Sequence, residues 1–326
     1  MSQLHKVAPD LFQVTLSAPT SLGHTWGNAR NVYVFTGEAP ALIDSGYAQS
    51  ADELHQALQS LNIAPADIRR IVLTSTTADA AGAASTFPNA RLWTALKPEE
   101  HVHAHARARY QKIFQALLSL PDIPTTWTQD HEDQLLDTVF CPPPPNLQYL
   151  QSGQPIRLGN WILDALDTPG LAYPAAAYFA ADRGWLFSGP AINMQPRAIL
   201  DDPTHMLETL GTLGAMSIKQ ILPVRGDIDP NPDIFFRTLS LYVTNLRANM
   251  KYIFEDPESS IDLVQADFGY WPEDLMETAA RLMTFDAVFR EFDEAGVVHV
   301  VEDGPVEGFP RYKMGAPGAG RGDATN

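Results

Sequence analysis

The sequence predicts an α/β fold: two successive β-then-α halves stacked as a four-layer αβ/βα sandwich, followed by a helical appendage. Three observations carry this. Strand-like runs give way to helix-like runs twice, once over 11–61 and again over 155–215. Short alternating runs in the second half are joined by tight-turn signals. After Asp233 the pattern turns to long stretches of helical periodicity.

In the first half, 11–18 (LFQVTLSA) and 31–36 (NVYVFT) read as strands, and 40–44 (PALID) as a third that ends on Ser45-Gly46. Residues 51–61 form an amphipathic helix with Leu54, Leu58 and Leu61 on one face. Ile71 to Thr74 is a short buried strand running into a loop that opens a helix, and Ala90 to Ala95 is another strand. A different segment follows. Residues 98–119 make a polar helix bearing His101, His103 and His105, a second helical piece covers 129–138, and Pro142 to Pro145 close the insertion as a stiff connector.

Strand character returns at 155–158 and 161–166, joined by Gly159-Asn160, a strong hairpin signal. Strands at 176–181 and 184–188 flank Asp182-Arg183-Gly184, and a helix at 203–215 leads into a strand from Gln220 to Val224. Helices then cover 234–255 and 273–294, the latter capped by Gly296. Two short strands follow, 297–301 and 310–313. Helix, helix, strand, strand is the order of a small winged-helix-like unit. The expected organisation is a main domain over 1–230 with its helical, proline-rich insertion at 98–145, an appendage over 231–314, and a disordered tail over 315–326.

Composition narrows the function classes. With 326 residues, 45% of them hydrophobic, the chain supports an ordinary globular core. Its 39 acidic against 22 basic residues give a net charge of −17, which argues against nucleic acid and anionic membrane surfaces as partners. The N-terminal residues MSQLHKVAPDLF lack the apolar segment of a secretory signal, and no apolar run is long enough to span a bilayer. A single cysteine, Cys141, cannot form an internal disulfide, so a cytoplasmic location is expected.

The motif-bearing positions lie where strands end. Leu73-Thr74-Ser75-Thr76-Thr77-Ala78-Asp79-Ala80-Ala81-Gly82 follows the fourth predicted strand. Thr168-Pro169-Gly170-Leu171 follows the hairpin, Leu186-Phe187-Ser188-Gly189-Pro190 ends another strand, and Pro223-Val224-Arg225-Gly226 ends the last. Asn31 opens one strand and Ile43-Asp44-Ser45-Gly46 closes the next. In order and spacing these resemble the motifs of metallo-β-lactamase-fold hydrolases, with a glyoxalase II-like arrangement, over roughly residues 10–230. That family reads LTHxHxDHxGG at the first motif, TPGH at the second, an SGD strand end at the third and PGHG at the last.

The resemblance implies that fold and also a dinuclear metal centre, whose ligand positions here are Ser75, Thr77, Asp79, Ala80, Leu171, Pro190 and Arg225. Zinc and iron in such sites need imidazole nitrogen or carboxylate oxygen. Only Asp79 keeps a ligand type. No metal and no other cofactor is therefore expected, and no catalytic residue is assigned. Without a metal there is no ready source of hydroxide at neutral pH.

In the family, the residues matching Asp79 and Arg225 bind the same ion. Arginine there puts a fixed cation where the metal's charge was, so an Arg225–Asp79 ion pair is expected. The alternative is that Arg225 points to solvent and Asp79 caps the following helix. His24 and Trp26 stand in a loop that would overhang the site in this fold, and join Ser75, Thr77, Asp79 and Arg225 as candidate ligand contacts.

Three functions stay open: a non-catalytic binder of a small molecule or protein partner, a hydrolase acting through a displaced metal or a metal-free mechanism, and a structural or homo-oligomerising protein. His101 and His105 have ligand spacing for a displaced metal, but Arg107 and Arg109 on the same helix favour a solvated face. For a hydroxyl nucleophile among Ser75, Thr76 and Thr77, His24 is the candidate base.

Overall fold

The computed structural model describes residues 3–19, 29–96, 101–120, 144–171, 175–191, 199–250, 275–302 and 309–314, with single positions between 123 and 136 and around 259–263. The first sheet has seven strands in chain order: β1 (Gln3–Ala8), β2 (Leu11–Leu16), β3 (Arg30–Phe35), β4 (Ala41–Ile43), β5 (Arg70–Leu73), β6 (Arg91–Thr94) and β7 (Gln148–Tyr149). Strands β1 to β4 pair antiparallel and β4 to β7 parallel. The second sheet runs β12-β11-β10-β9-β8, from β8 (Pro155–Leu158), β9 (Trp161–Asp167), β10 (Ala176–Ala180), β11 (Trp185–Phe187) and β12 (Gln220–Leu222).

The alternation of β3 decides how these sheets stack. Tyr33 and Phe35 face the second sheet, where they meet Trp161, Leu163, Tyr178, Phe187 and Leu222 in an inner core. Val32 and Val34 face outward, with Leu42, Ile71 and Leu73, onto Leu54 and Leu58 of α1 (Ala51–Ser60). On the far side, Met206, Leu210 and Leu213 of α4 (Pro203–Gly214) cover Phe179, Leu186 and Ile221. Helix, sheet, sheet, helix is the expected four-layer order. Fully burying one such leucine contributes about 1.5–3 kcal/mol, so each outer layer is anchored by apolar contact.

Between β5 and β6 lies the short helix α2 (Ala78–Ala81). The insertion contributes α3 (His101–Leu118), the C-terminal region α5 (Pro232–Met250) and α6 (Leu275–Glu294), and β13 (Val298–Glu302) pairs antiparallel with β14 (Arg311–Met314). The helix, helix, strand, strand order is thus present. Yet α5 packs Phe235, Phe236, Leu239 and Val243 into the same cluster as α4, so it serves as a covering helix of the second sheet. Helix α6 packs Leu275, Ala279, Leu282 and Met283 against Tyr110, Ile113, Phe114 and Leu117 of α3, and this cluster reaches Tyr47 and Ala78.

Two strands were not expected, β1 and the two-residue β7, which is exposed and pairs with the end of β6. β1 carries no usable alternation, and Gln3 to His5 are exposed on the sheet edge, so its ladder with β2 rather than burial defines it. The predicted helix at 129–138 and the connector at Pro142 to Pro145 fall largely outside the described residues. No helix among the described residues is long and apolar enough to cross a membrane.

Candidate functional site

The site gathers where β4, β5 and β12 end and β3 begins. Backbone bonds stitch the two sheets together there: Asn31 N–H donates to Val224 O at 2.8 Å and Ala176 N–H to Thr74 O at 2.8 Å. Asn31 Nδ2 reaches further, donating to Pro223 O at 2.9 Å and Gly226 O at 2.8 Å, so the first sheet clamps the turn that bears Arg225. Tyr33 adds its hydroxyl to Pro223 O at 2.8 Å. Close approach fixes some residue choices. Gly189 sits at φ 59, and a Cβ there would lie 2.2 Å from Ala176 O.

Asp79 is the focus. Its Oδ1 accepts the Thr77 hydroxyl at 2.5 Å, and its Oδ2 accepts Arg225 Nη2 at 2.8 Å and also Arg30 Nη1. The Arg225–Asp79 ion pair expected from the sequence is formed. Neither alternative holds: the Arg225 side chain is only 4% exposed, and Asp79 lies inside α2, whose N-cap position is Thr77. Ser75 Oγ lies 2.9 Å from Thr77 Oγ1. Thr77 has one hydroxyl proton and a carboxylate only accepts, so Ser75 donates to Thr77 and Thr77 to Asp79.

Arg30 is the residue that sequence reasoning missed. It is fully buried, and its Nη2 donates to Asp44 Oδ2 at 2.5 Å and Thr74 Oγ1 at 3.3 Å. Asp44 in turn accepts Thr74 N–H and Thr74 Oγ1, each at 2.7 Å, and is held at φ 60, a left-handed conformation uncommon for a residue with a side chain. A signal for Arg30 existed. It shares the strand face of Val32 and Val34, so a cation there is buried and requires carboxylates.

Electrostatics follow from this packing. Burial alone pushes the Asp79 carboxyl up, but the Arg30 and Arg225 guanidiniums, helped by Thr77, outweigh it and hold the pKa at about 2. Burial raises the Tyr47 phenol to about 12, although Arg225 donates to it and pulls the other way. Two arginines and two aspartates leave the cluster neutral.

The remaining motif positions offer no metal donors. Ala80 is buried, its carbonyl taken by Ser45. Pro190 is buried in the 3₁₀ turn Gly189–Ala191. Leu171 belongs to the apolar cluster of Met206, Leu200 and Phe179. His24 and Trp26 lie outside the described residues, as do the side chains of His101, His103 and His105 on α3.

Comparison with known proteins decides the family. Residues 25–228, more than half of the chain, match the model of the metallo-beta-lactamase superfamily. The chain belongs to the metallo-beta-lactamase superfamily. Solved structures agree on the fold. A metallo-beta-lactamase family protein from Thermus thermophilus superposes with a TM-score of 0.74 at 20% identity, covering 95% of this chain and 100% of that one. A beta-lactamase domain protein from Burkholderia ambifaria gives 0.74 at 18%, covering 96% and 93%. A metallo-beta-lactamase from Pontibacter korlensis gives 0.53 at 14%, covering 75% and 100%. No protein of curated function matches.

The residues of this superfamily member do not fit a dinuclear metal centre. The retained carboxylate already carries two guanidiniums, and a metal ion at Asp79 Oδ2 would have to displace both or meet their charge. Among the described residues, no group of three or more histidines, cysteines or acidic residues is placed to hold a metal.

Proposed function

We propose that this chain is a metal-independent, non-hydrolytic member of its superfamily that acts by binding a small molecule or a protein partner. One observation carries the reading: Asp79, the one residue of ligand type left among the family's metal positions, is fully engaged by Thr77, Arg30 and Arg225. An enzyme of this fold works by generating hydroxide on a metal, and this donor set has no place for the ion. A hydroxyl mechanism fares no better, because Ser75 and Thr77 donate along a chain that ends on an arginine-paired carboxylate, which is a poor base. The charge of −17 directs the search toward neutral or cationic ligands and protein partners.

The test pairs two assays. A panel of esters, thioesters, β-lactams and phosphodiesters, each with zinc, iron(II) or manganese added, is expected to show no metal-dependent turnover. A thermal-shift screen with metabolites is expected to find a saturable stabiliser, since a ligand selective for the native state raises its apparent stability. Metal-dependent turnover that follows the protein through purification would overturn the proposal.

A further inference from the structure

We infer that Arg30 is a tethered cation seated in an oxygen-lined cation site between Asp44 and Asp79, which the covalently attached guanidinium keeps filled. The inference rests on the metal-independent reading above and deepens it. Arg225 stands at one of the family's metal-ligand positions and Arg30 does not; of the two carboxylates that hold Arg30, only Asp79 belongs to that ligand set, and Asp44 lies in the strand-closing Ile43-Asp44-Ser45-Gly46 motif.

Arg30 and Asp44 are both fully buried, and Asp79 is nearly so. Two carboxylates this close repel strongly away from water unless a cation bridges them. Arg30 is that bridge, with one Nη on each carboxylate. Its Nε has no hydrogen-bond partner among the described residues, so the carboxylates and Thr74 Oγ1 alone set its position. The acceptors of the guanidinium head are all oxygens, Asp44 Oδ2, Asp79 Oδ2 and Thr74 Oγ1, and Asp79 Oδ2 also carries Arg225 Nη2. Carboxylate and hydroxyl oxygens without imidazole or thiolate suit hard cations such as magnesium, calcium and manganese rather than zinc. Removing the side chain while leaving its seat therefore leaves a small, negatively charged hole that a free cation fills.

The experiment is ion rescue of R30A, R30K and the wild type at pH 8, where a proton competes least for the carboxylates. Thermal unfolding is followed with low-millimolar guanidinium, magnesium, calcium or manganese, and with tetramethylammonium as the ionic-strength control. The wild type and R30K, which keep a tethered charge, are expected to be unresponsive. R30A is expected to be less stable than both and to regain stability saturably. At ten times the dissociation constant, the ion raises its folding equilibrium constant about tenfold. R30A/D44N should lose the response. If R30A does not accumulate folded, refolding yield with and without the ions replaces the melt, and a yield raised only by guanidinium or the divalent ions supports the inference. An R30A variant whose melt or yield responds no more than the wild type's overturns it. The two readings fail separately: stoichiometric metal in the wild type contradicts the metal-independent function, whereas an unresponsive R30A contradicts only the tethered-cation site.

Discussion

Arg225 Nη2 lies 2.8 Å from Asp79 Oδ2, joining residues 146 positions apart and tying the end of the second sheet to the helix that follows β5. Breaking this buried pair from one side leaves a charge without its partner. D79A should therefore cost about 3–5 kcal/mol, because it leaves Arg225 without its carboxylate and Arg30 with Asp44 alone, and R225M should cost less, because Arg30 still serves Asp79. A urea double-mutant cycle of D79N with R225M should return a coupling of about 1–3 kcal/mol. Strict additivity would contradict the pair.

Acid should release the same interaction. The folded Asp79 carboxyl titrates at about 2, below its unfolded value near 3.9. A depressed carboxyl contributes stability that is fully present above the unfolded pKa and lost as pH falls through the folded one. The wild type's advantage over D79N should thus hold from pH 7 to about 4 and shrink, by on the order of 2 kcal/mol, between about pH 4 and 2. Denaturant unfolding at stepped pH measures it. An advantage that persists unchanged at pH 2 would contradict the assignment.

Asn31 positions the arginine turn without carrying charge. Its Nδ2 is the donor for both Pro223 O and Gly226 O, so N31A should cost about 1–3 kcal/mol in urea unfolding. It should also weaken the Arg225–Asp79 coupling in the cycle above. N31A with full stability and unchanged coupling would show that the backbone bond from Asn31 to Val224 suffices.

A second ionic cluster holds the helices over the site. Arg109 of α3 pairs with Asp201, and Arg290 of α6 reaches Asp201 at 3.0 Å and Asp286 at 3.1 Å. These side chains are partly exposed, so the pairs set local rather than global stability. R109A/R290A should lower amide-exchange protection in α3 and α6 while changing global unfolding by no more than about 1 kcal/mol. Unchanged protection would leave the apolar contacts of Phe114 and Leu282 as the whole attachment.

The four-layer architecture was legible because strand-like runs give way to helix-like runs twice along the chain and the Gly159-Asn160 hairpin has its own turn chemistry. The Arg225–Asp79 pair was legible because both residues stand in recognisable motif frames. Arg30 was not, since it sits one residue outside the strand-opening Asn31 and its partners come from two other strand ends. β1 escaped because an exposed edge strand is defined by its hydrogen-bonded neighbour. Leu171 read as a lost ligand; that it joins the apolar core beneath α4 emerges only from packing.

The proposed function rests on fixed guanidiniums taking the metal's place on Asp79. Its most direct test is elemental analysis of wild-type protein produced in metal-supplemented medium and purified without chelators. Zinc, iron and manganese are each expected far below one equivalent per chain. One or two equivalents, retained through gel filtration and lost in D79A, would contradict it.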